Sequence, residues 1–291
     1  MTRLVAGLID VFADAPLSGN PLAVVEGGEG LDDSLLRRIA GEFNQAETTF
    51  VLASDRADWR LRSFTANGSE VFGAGHNALG AWLWLAHHGR LGELVEARTF
   101  HQEIGVDVLP ITLQAREGRI QGRMRQARLR LLEPLAAVDR LAAGLGLEPA
   151  DILPFPPPRT ADTGAPHLMV RVGDAAAVDR CAPLAAALLA VLVPAGAEGC
   201  YVYAFDEATP GAAYARFFNP TVGLWEDAAT GTAAGPLTAY LGSSGLLGSD
   251  GTLVIEQGVK MGRRSLLSVR LGPDPELSGA GVVVLRGELV V

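Results

Sequence analysis

One spacing recurs in this chain of 291 residues and constrains its fold more than any other feature. Arg62, Phe64 and Gly75 are matched by Arg216, Phe218 and Ala229 at a constant offset of 154 residues. The surrounding segments match in kind: ETTFVLA with GCYVYAF, LRSFTA with ARFFNP, and GHNALGAWLWLAHHGRL with ATGTAAGPLTAYLGSSGLL. One offset held across a loop points to a diverged internal duplication. Two similar α/β halves are therefore expected, related by a pseudo-twofold axis with a cleft on that axis. A glycine-flanked helix start from each half can then point into one cleft. The length and the 48% hydrophobic content suffice for two cores.

Local patterns fill in the parts. The opening stretch reads as a strand to about Phe12, and ADAPLSGNP is a loop rich in turn residues. Asp32 and Asp33 stand where a helix N-cap belongs, and Leu35, Leu36, Ile39, Ala40 and Phe43 follow at helical spacing. Residues 33–44 are predicted to be an amphipathic helix. His76 to His88 reads as a very apolar, buried helix. LLEPLAAVDRLAAGLGL reads as a helix and ILPFPPPRT as an extended connection. The halves are expected to span 1–131 and 132–291, the last strands being free to join either sheet.

Charge and cysteine content exclude several functions. A net charge of −9 suits neither a phosphate backbone nor an anionic membrane surface, so neither nucleic acid nor membrane is an expected partner. Lys260 is the only lysine, which leaves almost no place for a Schiff base or a phosphate-loop lysine. Cys181 and Cys200 form no metal-ligand spacing and read as small buried apolar residues. The N-terminus lacks the apolar stretch and cleavage site of a signal peptide. The uncharged run from Cys181 to Ala197 is too short to span a bilayer and holds Pro183 and Pro194. A soluble protein of a reducing cytoplasm is expected.

Four segments can carry chemistry. Glu47, in NQAETTF, stands where a helix gives way to a strand, beside Phe50 and Val51. Partial desolvation there raises a carboxyl pKa toward neutrality and suits it to acid–base work. An ordinary solvated glutamate is the plainer reading. In GSEVFGAGHNALG, Gly73 and Gly75 permit a tight approach before a helix whose free N–H groups suit a carboxylate, and His76 can donate or shuttle a proton. The run is not a dinucleotide fingerprint. In WEDAATGTAAG, Asp227 can cap the following helix, while Thr230, Gly231 and Thr232 can offer amide and hydroxyl donors to an anion. In EQGVKMGRRS, Gly258 and Gly262 suggest a turn between strands, and Arg263 can be a substrate clamp or, on the plainer reading, a surface charge. His87, His88, His101 and His167 read as structural. No ligand pattern supports a metal.

In order, DVFADAPLSGNPLAVV, FNQAETTFV, RSFTANGSEVFGAGHNALG, RFFNPTVGLWEDAATGTAAGPL and EQGVKMGR closely resemble the PhzF-like family of phenazine-biosynthesis isomerases. The resemblance runs from about residue 9 to the C-terminus. It implies an α+β, diaminopimelate-epimerase-like fold, in which each half wraps a mixed sheet around a central helix and the active site lies between the halves. It also implies homodimers and a small carboxylate-bearing substrate, with no cofactor and no metal. Carried over, Glu47 is the acid/base glutamate, and His76 and Asp227 support it. Asn20, Gly75, Asn77, Thr230, Gly231 and Thr232 are the substrate-binding positions. Thr232 stands where many members have serine. GHNA replaces GHPT or GHAT, and EDAATG replaces EDPATG, so the substrate can differ from that of well-known members.

Related racemases and epimerases use a thiol from each half, and here the corresponding residues are Ala74 and Ala229. A carboxyl that takes a proton and redelivers it on the same substrate face needs no second base. The expected activity is thus proton-transfer isomerisation of a small conjugated carboxylic acid. An epimerase or racemase with non-thiol bases, and a non-catalytic metabolite- or protein-binding member, remain as alternatives.

Overall fold

The computed structural model describes residues 1–222 and 224–291. The chain forms two compact units, 1–124 with 278–291, and 125–277.

The first unit contains β1 (Arg3–Val11), β2 (Asn20–Glu26), α1 (Asp33–Phe43), β3 (Glu47–Leu52), β4 (Trp59–Thr65), β5 (Glu70–Val71), α2 (His76–His87), β6 (Arg98–Ile104), β7 (Asp107–Arg116) and β8 (Arg119–Arg125). The second contains β9 (Arg130–Pro134), α3 (Val138–Leu145), β10 (Arg159–Asp162), β11 (Pro166–Val172), α4 (Ala175–Arg180), α5 (Ala185–Leu192), β12 (Gly199–Phe205), β13 (Ala212–Asn219), β14 (Leu224–Asp227), α6 (Gly231–Ser243), β15 (Thr252–Gln257) and β16 (Ser265–Arg270). Most of the last strand, β17 (Glu276–Val290), returns to the first unit and pairs antiparallel with β1.

In the first unit the pairings run β1–β2–β3–β4–β6–β7–β8–β17 and back to β1, a closed mixed barrel with β2–β3 and β4–β6 parallel. Helix α2 lies inside it. Every residue from His76 to Leu85 is buried, so the helix has no solvent face and its sequence shows no amphipathic stripe. Its side chains meet several walls at once: Trp84 abuts Gly7, Leu79 abuts Gly122 and Gly279, and Gly80 faces Val11 and Leu22. Helix α1 is the amphipathic one and covers the outside with Leu36, Ile39 and Ala40. Asp32 caps it by accepting from the Leu35 amide at 2.8 Å. Asn44 ends it in the left-handed region at φ 49°, a conformation Asn tolerates better than other non-glycine residues.

The second unit repeats the order of pairings. β10–β11 is antiparallel, β11–β12 parallel, β12–β13 antiparallel, β13–β15 parallel and β15–β16 antiparallel. Helix α6 is again almost wholly buried, from Gly231 to Leu241 apart from half-buried Thr232. Helices α3, α4 and α5 pack a separate cluster against the other sheet face, with Leu141, Leu145, Val178, Leu188 and Leu192 at its centre.

The sequence pattern misleads in one stretch. Residues 131–147 read as one helix, yet Leu131 and Pro134 are strand residues paired with Ala161 and Arg159 of β10, and the helix covers only Val138–Leu145. The proline cannot supply an amide inside a helix, and β10 offers its neighbours a partner. Gly146, at φ 69°, closes the short helix.

Candidate active site

Two side-chain clusters collect the residues the sequence singles out, one in each unit.

In the first, Asn20 opens β2 and is buried. Glu47 opens β3, beside Leu22 of β2 and opposite Thr65 of β4. The left-handed turn at Asn44 lets the chain leave α1 and enter the sheet within three residues. Glu47 is therefore fixed by strand pairing on both sides. Its side chain is 18% exposed, but Oε2 is fully enclosed and accepts no hydrogen bond among the described residues. Burial without a compensating donor disfavours the ionised form and pushes the carboxyl up to about 7. His76, the first residue of α2, places Nδ1 3.4 Å from Glu47 Oε2, a long contact that a proton can shorten.

The loop before α2 is held from inside. Asn77 Oδ1 accepts from the Gly75 amide at 2.8 Å, and Asn77 Nδ2 donates to Gly73 O at 3.0 Å and Ser63 Oγ at 3.1 Å. Asn77 and the Gly75 amide, both expected at a substrate, are thus engaged with each other. The reason is the buried turn, whose polar groups need partners of their own. Among the described residues, the amides of Asn77 and Ala78 remain unpaired at the helix start.

The second cluster surrounds the start of α6. The adjacent acids of the WED run diverge. Glu226 forms a two-pronged ion pair with Arg216, both contacts 2.8 Å, and that guanidinium lies 4.8 Å from the Phe218 ring. Arg62, Glu70 and Phe64 build the same arrangement in the first unit, with contacts of 2.7 and 2.8 Å and a ring distance of 5.1 Å. Each pair ties a short strand to its neighbour immediately before a buried helix. With Glu226 held by Arg216, Asp227 takes the alternate direction along β14 and is buried.

Asp227 does not cap α6. The N-cap is Thr230, without a side-chain cap bond. Thr230 Oγ1 instead donates to Asp227 Oδ2 at 2.6 Å. Gln257, fully buried, fixes that direction. Its Oε1 accepts from the Thr230 amide at 3.2 Å and from Tyr201 Oη at 2.8 Å. Its Nε2 therefore faces Asp227 O at 2.8 Å and Thr230 Oγ1 at 3.0 Å. An amide nitrogen only donates, so Thr230 Oγ1 accepts from it and passes its own proton to Asp227. Thr230, expected to donate to an anion, has its amide and hydroxyl both taken up here. Gly231 and Thr232 keep unpaired amides among the described residues, whereas those of Ala233 and Ala234 reach Thr230 O at 3.0 Å. Gln126 steadies this helix start through Gly231 O at 2.8 Å.

The sequence reading gives Gln257 no role and takes His167 as structural. Gln257 lies inside the EQGVKMGR run but shows no signal of its own. His167 has one: GAPHLMV repeats GNPLAVV, and each run opens the strand beside β12 or β3. Its Nε2 lies 3.1 Å from Thr232 Oγ1, and burial pulls its pKa down to about 4. The turn at Gly258 and Gly262 lies between β15 and β16, where the spacing puts it. Cys181 and Cys200 are buried in the outer cluster of the second unit with their thiols pushed up by burial.

The architecture has solved counterparts. A hydroxyproline epimerase from Agrobacterium vitis, 13% identical, superposes with a TM-score of 0.67 over 99% of this chain and 91% of that one, so the chain has the fold of these proline-racemase-like proteins. A PhzF-family phenazine biosynthesis protein from Bacillus anthracis superposes far better, with a TM-score of 0.90, 27% identity and full coverage of both chains. Residues 9–287 match the family described as phenazine biosynthesis-like protein, PhzC-PhzF, and the chain belongs to that family. A Pseudomonas aeruginosa relative, 31% identical over 96% of this chain and 97% of its own, is named trans-2,3-dihydro-3-hydroxyanthranilate isomerase. Relatives of this family are isomerases. No helix of the described residues is long and apolar enough to cross a membrane.

Proposed function

We propose that the chain is a proton-transfer isomerase of a small conjugated carboxylic acid, with Glu47 as its single acid/base. The observation that carries this reading is the Glu47 carboxyl itself: strand-fixed, enclosed at Oε2 and pushed by burial to about 7. A group with that pKa takes and returns a proton near neutral pH without a large penalty in either direction. Glu47 removes a proton from carbon and redelivers it farther along the conjugated system on the same face. His76 donates to the carboxylate form while the proton is away. The amides of Gly231 and Thr232, at the positive end of α6, hold the substrate carboxylate and the charge that delocalises toward it. Asp227, its Oδ2 already accepting from Thr230, orients a substrate donor.

A single acid/base is favoured over a pair by the second unit. In register terms the counterpart of Glu47 on β12 is Gly199, where a Cβ would meet the Phe217 ring at 2.3 Å. No side chain fits there. Ala74 and Ala229 leave the thiol positions of racemases empty of nucleophiles.

The test is turnover in deuterium oxide, beginning with trans-2,3-dihydro-3-hydroxyanthranilate, the compound in the relatives' name. The reading expects hydrogen lost from one carbon to reappear at a remote carbon, as substrate hydrogen returned directly or as a single solvent deuteron where the Glu47 carboxyl exchanges before redelivery. It expects a loss of roughly a hundred- to ten-thousandfold in Glu47→Gln. Washing of label into one stereocentre with loss of configuration indicates an epimerase instead, and full activity in Glu47→Gln eliminates the mechanism.

A further inference from the structure

We propose that His167 is a positioning residue for the Thr232 hydroxyl. Held as the Nε2–H tautomer, it donates to Thr232 Oγ1 and so turns the only hydroxyl proton of Thr232 toward an anionic ligand at the start of α6. This rests on the reading of that helix start as the carboxylate site.

The ring is placed by three elements of the second unit. His167 is the second residue of β11 and only 2% exposed. Its parallel neighbour on β12 is Gly199. Because Gly199 has no Cβ, Phe217 can lie against that strand, and its ring meets the imidazole edge to face at 4.9 Å and 83°. Tyr201 backs Phe217 at 6.0 Å. The packing leaves Nε2 facing Thr232 Oγ1 at 3.1 Å, while Nδ1 is enclosed and has no hydrogen-bond partner among the described residues.

A neutral imidazole carries one proton, and its place decides what Thr232 can do. With the proton on Nδ1, a buried N–H has no acceptor, and Nε2 must accept from Thr232. The threonine then shows only lone pairs to a ligand and repels a carboxylate. With the proton on Nε2, no buried N–H is orphaned, and Thr232 Oγ1 accepts from the ring and donates outward. Orphaned buried N–H groups are rarer and costlier than an unused lone pair, so the second arrangement is the stable one. Asp162 is the charged group whose field favours imidazolium, yet it is shared with Arg130 at 2.7 Å, and burial keeps the ring neutral above pH about 4. The ring therefore acts through hydrogen-bond direction and not through charge. Thr232 thus presents a hydroxyl donor beside its own unpaired amide, both from one residue at the positive end of a helix.

The experiment has two readouts. Long-range ¹⁵N NMR of the free protein at pH 7 reports the tautomer without any ligand: the expected result is protonated Nε2, and protonated Nδ1 overturns the proposal. Titration with 2-aminobenzoate as carboxylate probe, against 2-aminobenzamide as its neutral counterpart, reports the consequence. His167→Leu and Thr232→Val are each expected to weaken 2-aminobenzoate binding about tenfold, the scale of one charge-assisted hydrogen bond. The double variant should be no weaker than either single one. 2-Aminobenzamide binding should stay unchanged, and His167→Gln, which keeps a donor, should recover most of the loss. Additive losses, or equal losses for both probes, mean the ring is merely packing and the proposal is wrong. If the unmodified protein does not bind 2-aminobenzoate above 2-aminobenzamide, the carboxylate site itself is refuted and the role of His167 falls with it. The NMR result then shows that the fault lies with the site and not with the tautomer. Proper folding of each variant is read from the same NMR spectra.

Discussion

Replacing Glu47 by Gln should make the protein more stable at alkaline pH while removing its activity. The folded-state pKa lies at about 7 against an ordinary 4.5, the cause being burial. Between those values the folded chain keeps a proton that the unfolded chain releases. Stability therefore falls as pH rises through this window, and the loss is complete above about 7. A difference of about two and a half pKa units corresponds to roughly 3 kcal/mol. Glutamine imitates the protonated carboxyl in size and shape but cannot ionise. Urea unfolding of both proteins at pH 4, 6 and 8 isolates the effect, because titrating groups away from Glu47 cancel in the difference and a shared His76→Asn background removes the imidazole 3.4 Å from the carboxyl. The expected difference is close to zero at pH 4 and grows to roughly 3 kcal/mol in favour of the variant at pH 8. A difference that stays constant over this range, or favours the wild type at pH 8, refutes the claim that Glu47 is held in a desolvating site. The same site would then lack the pKa that qualifies it as acid and base.

Asn77→Leu removes three hydrogen bonds from the loop that carries Gly75. A stability loss of roughly 2–4 kcal/mol is expected from urea unfolding, together with a lower kcat, because the position of His76 depends on that loop. Gly235→Ala drives a Cβ to within 1.6 Å of Gln126 Oε1, which evicts Gln126 from Gly231 O. Activity should fall, and the added change Gln126→Ala should restore stability, as thermal unfolding of the single and double variants will show. Gln257→Leu takes the acceptor from the Thr230 amide and one donor from Asp227 O, and a loss of about 2–5 kcal/mol is expected. Cys200→Ala and Cys181→Ala should leave kcat unchanged, since both thiols lie in the outer cluster; an inactive variant that still folds would contradict the thiol-free mechanism.

What the sequence discloses follows from the kind of signal each residue emits. The helices α1, α2 and α6 were legible because periodicity or unbroken apolarity marks them, and caps such as Asp32 are local. The Arg62 and Arg216 pair was visible through its constant offset, and its structural meaning, tying a two- to four-residue strand to its neighbour, follows from two matching ion pairs. Residues 131–134 mislead because a leucine pair looks alike whether it turns into a helix or pairs with a distant strand, here β10. The polar positions were harder still. Asn77 and Thr230 have the right chemistry to meet a ligand, but hydrogen-bonding capacity is finite. Once Asn77 is shared among Gly75, Gly73 and Ser63, and Thr230 among Gln257 and Asp227, neither side chain has a donor left for a ligand.

Gly73, Gly75 and Asp227 are near in sequence, but Ser63 lies 14 residues from Asn77 and Gln257 lies 27 from Thr230, and no local pattern displays those two. The consequence reaches the choice of ligand donors. At α6 the candidates narrow from Thr230, Gly231 and Thr232 to the last two, and under the tautomer proposed for His167 the Thr232 hydroxyl is left to give. A chain in which serine stands at this position would keep that hydroxyl but drop the methyl that restricts its rotation, since a β-branched side chain has fewer open rotamers. Thr232→Ser should therefore retain the donor and loosen its aim. A KM raised severalfold with kcat nearly unchanged is the expected result, and a kcat lost with KM unaltered would show that the hydroxyl acts on the transition state alone.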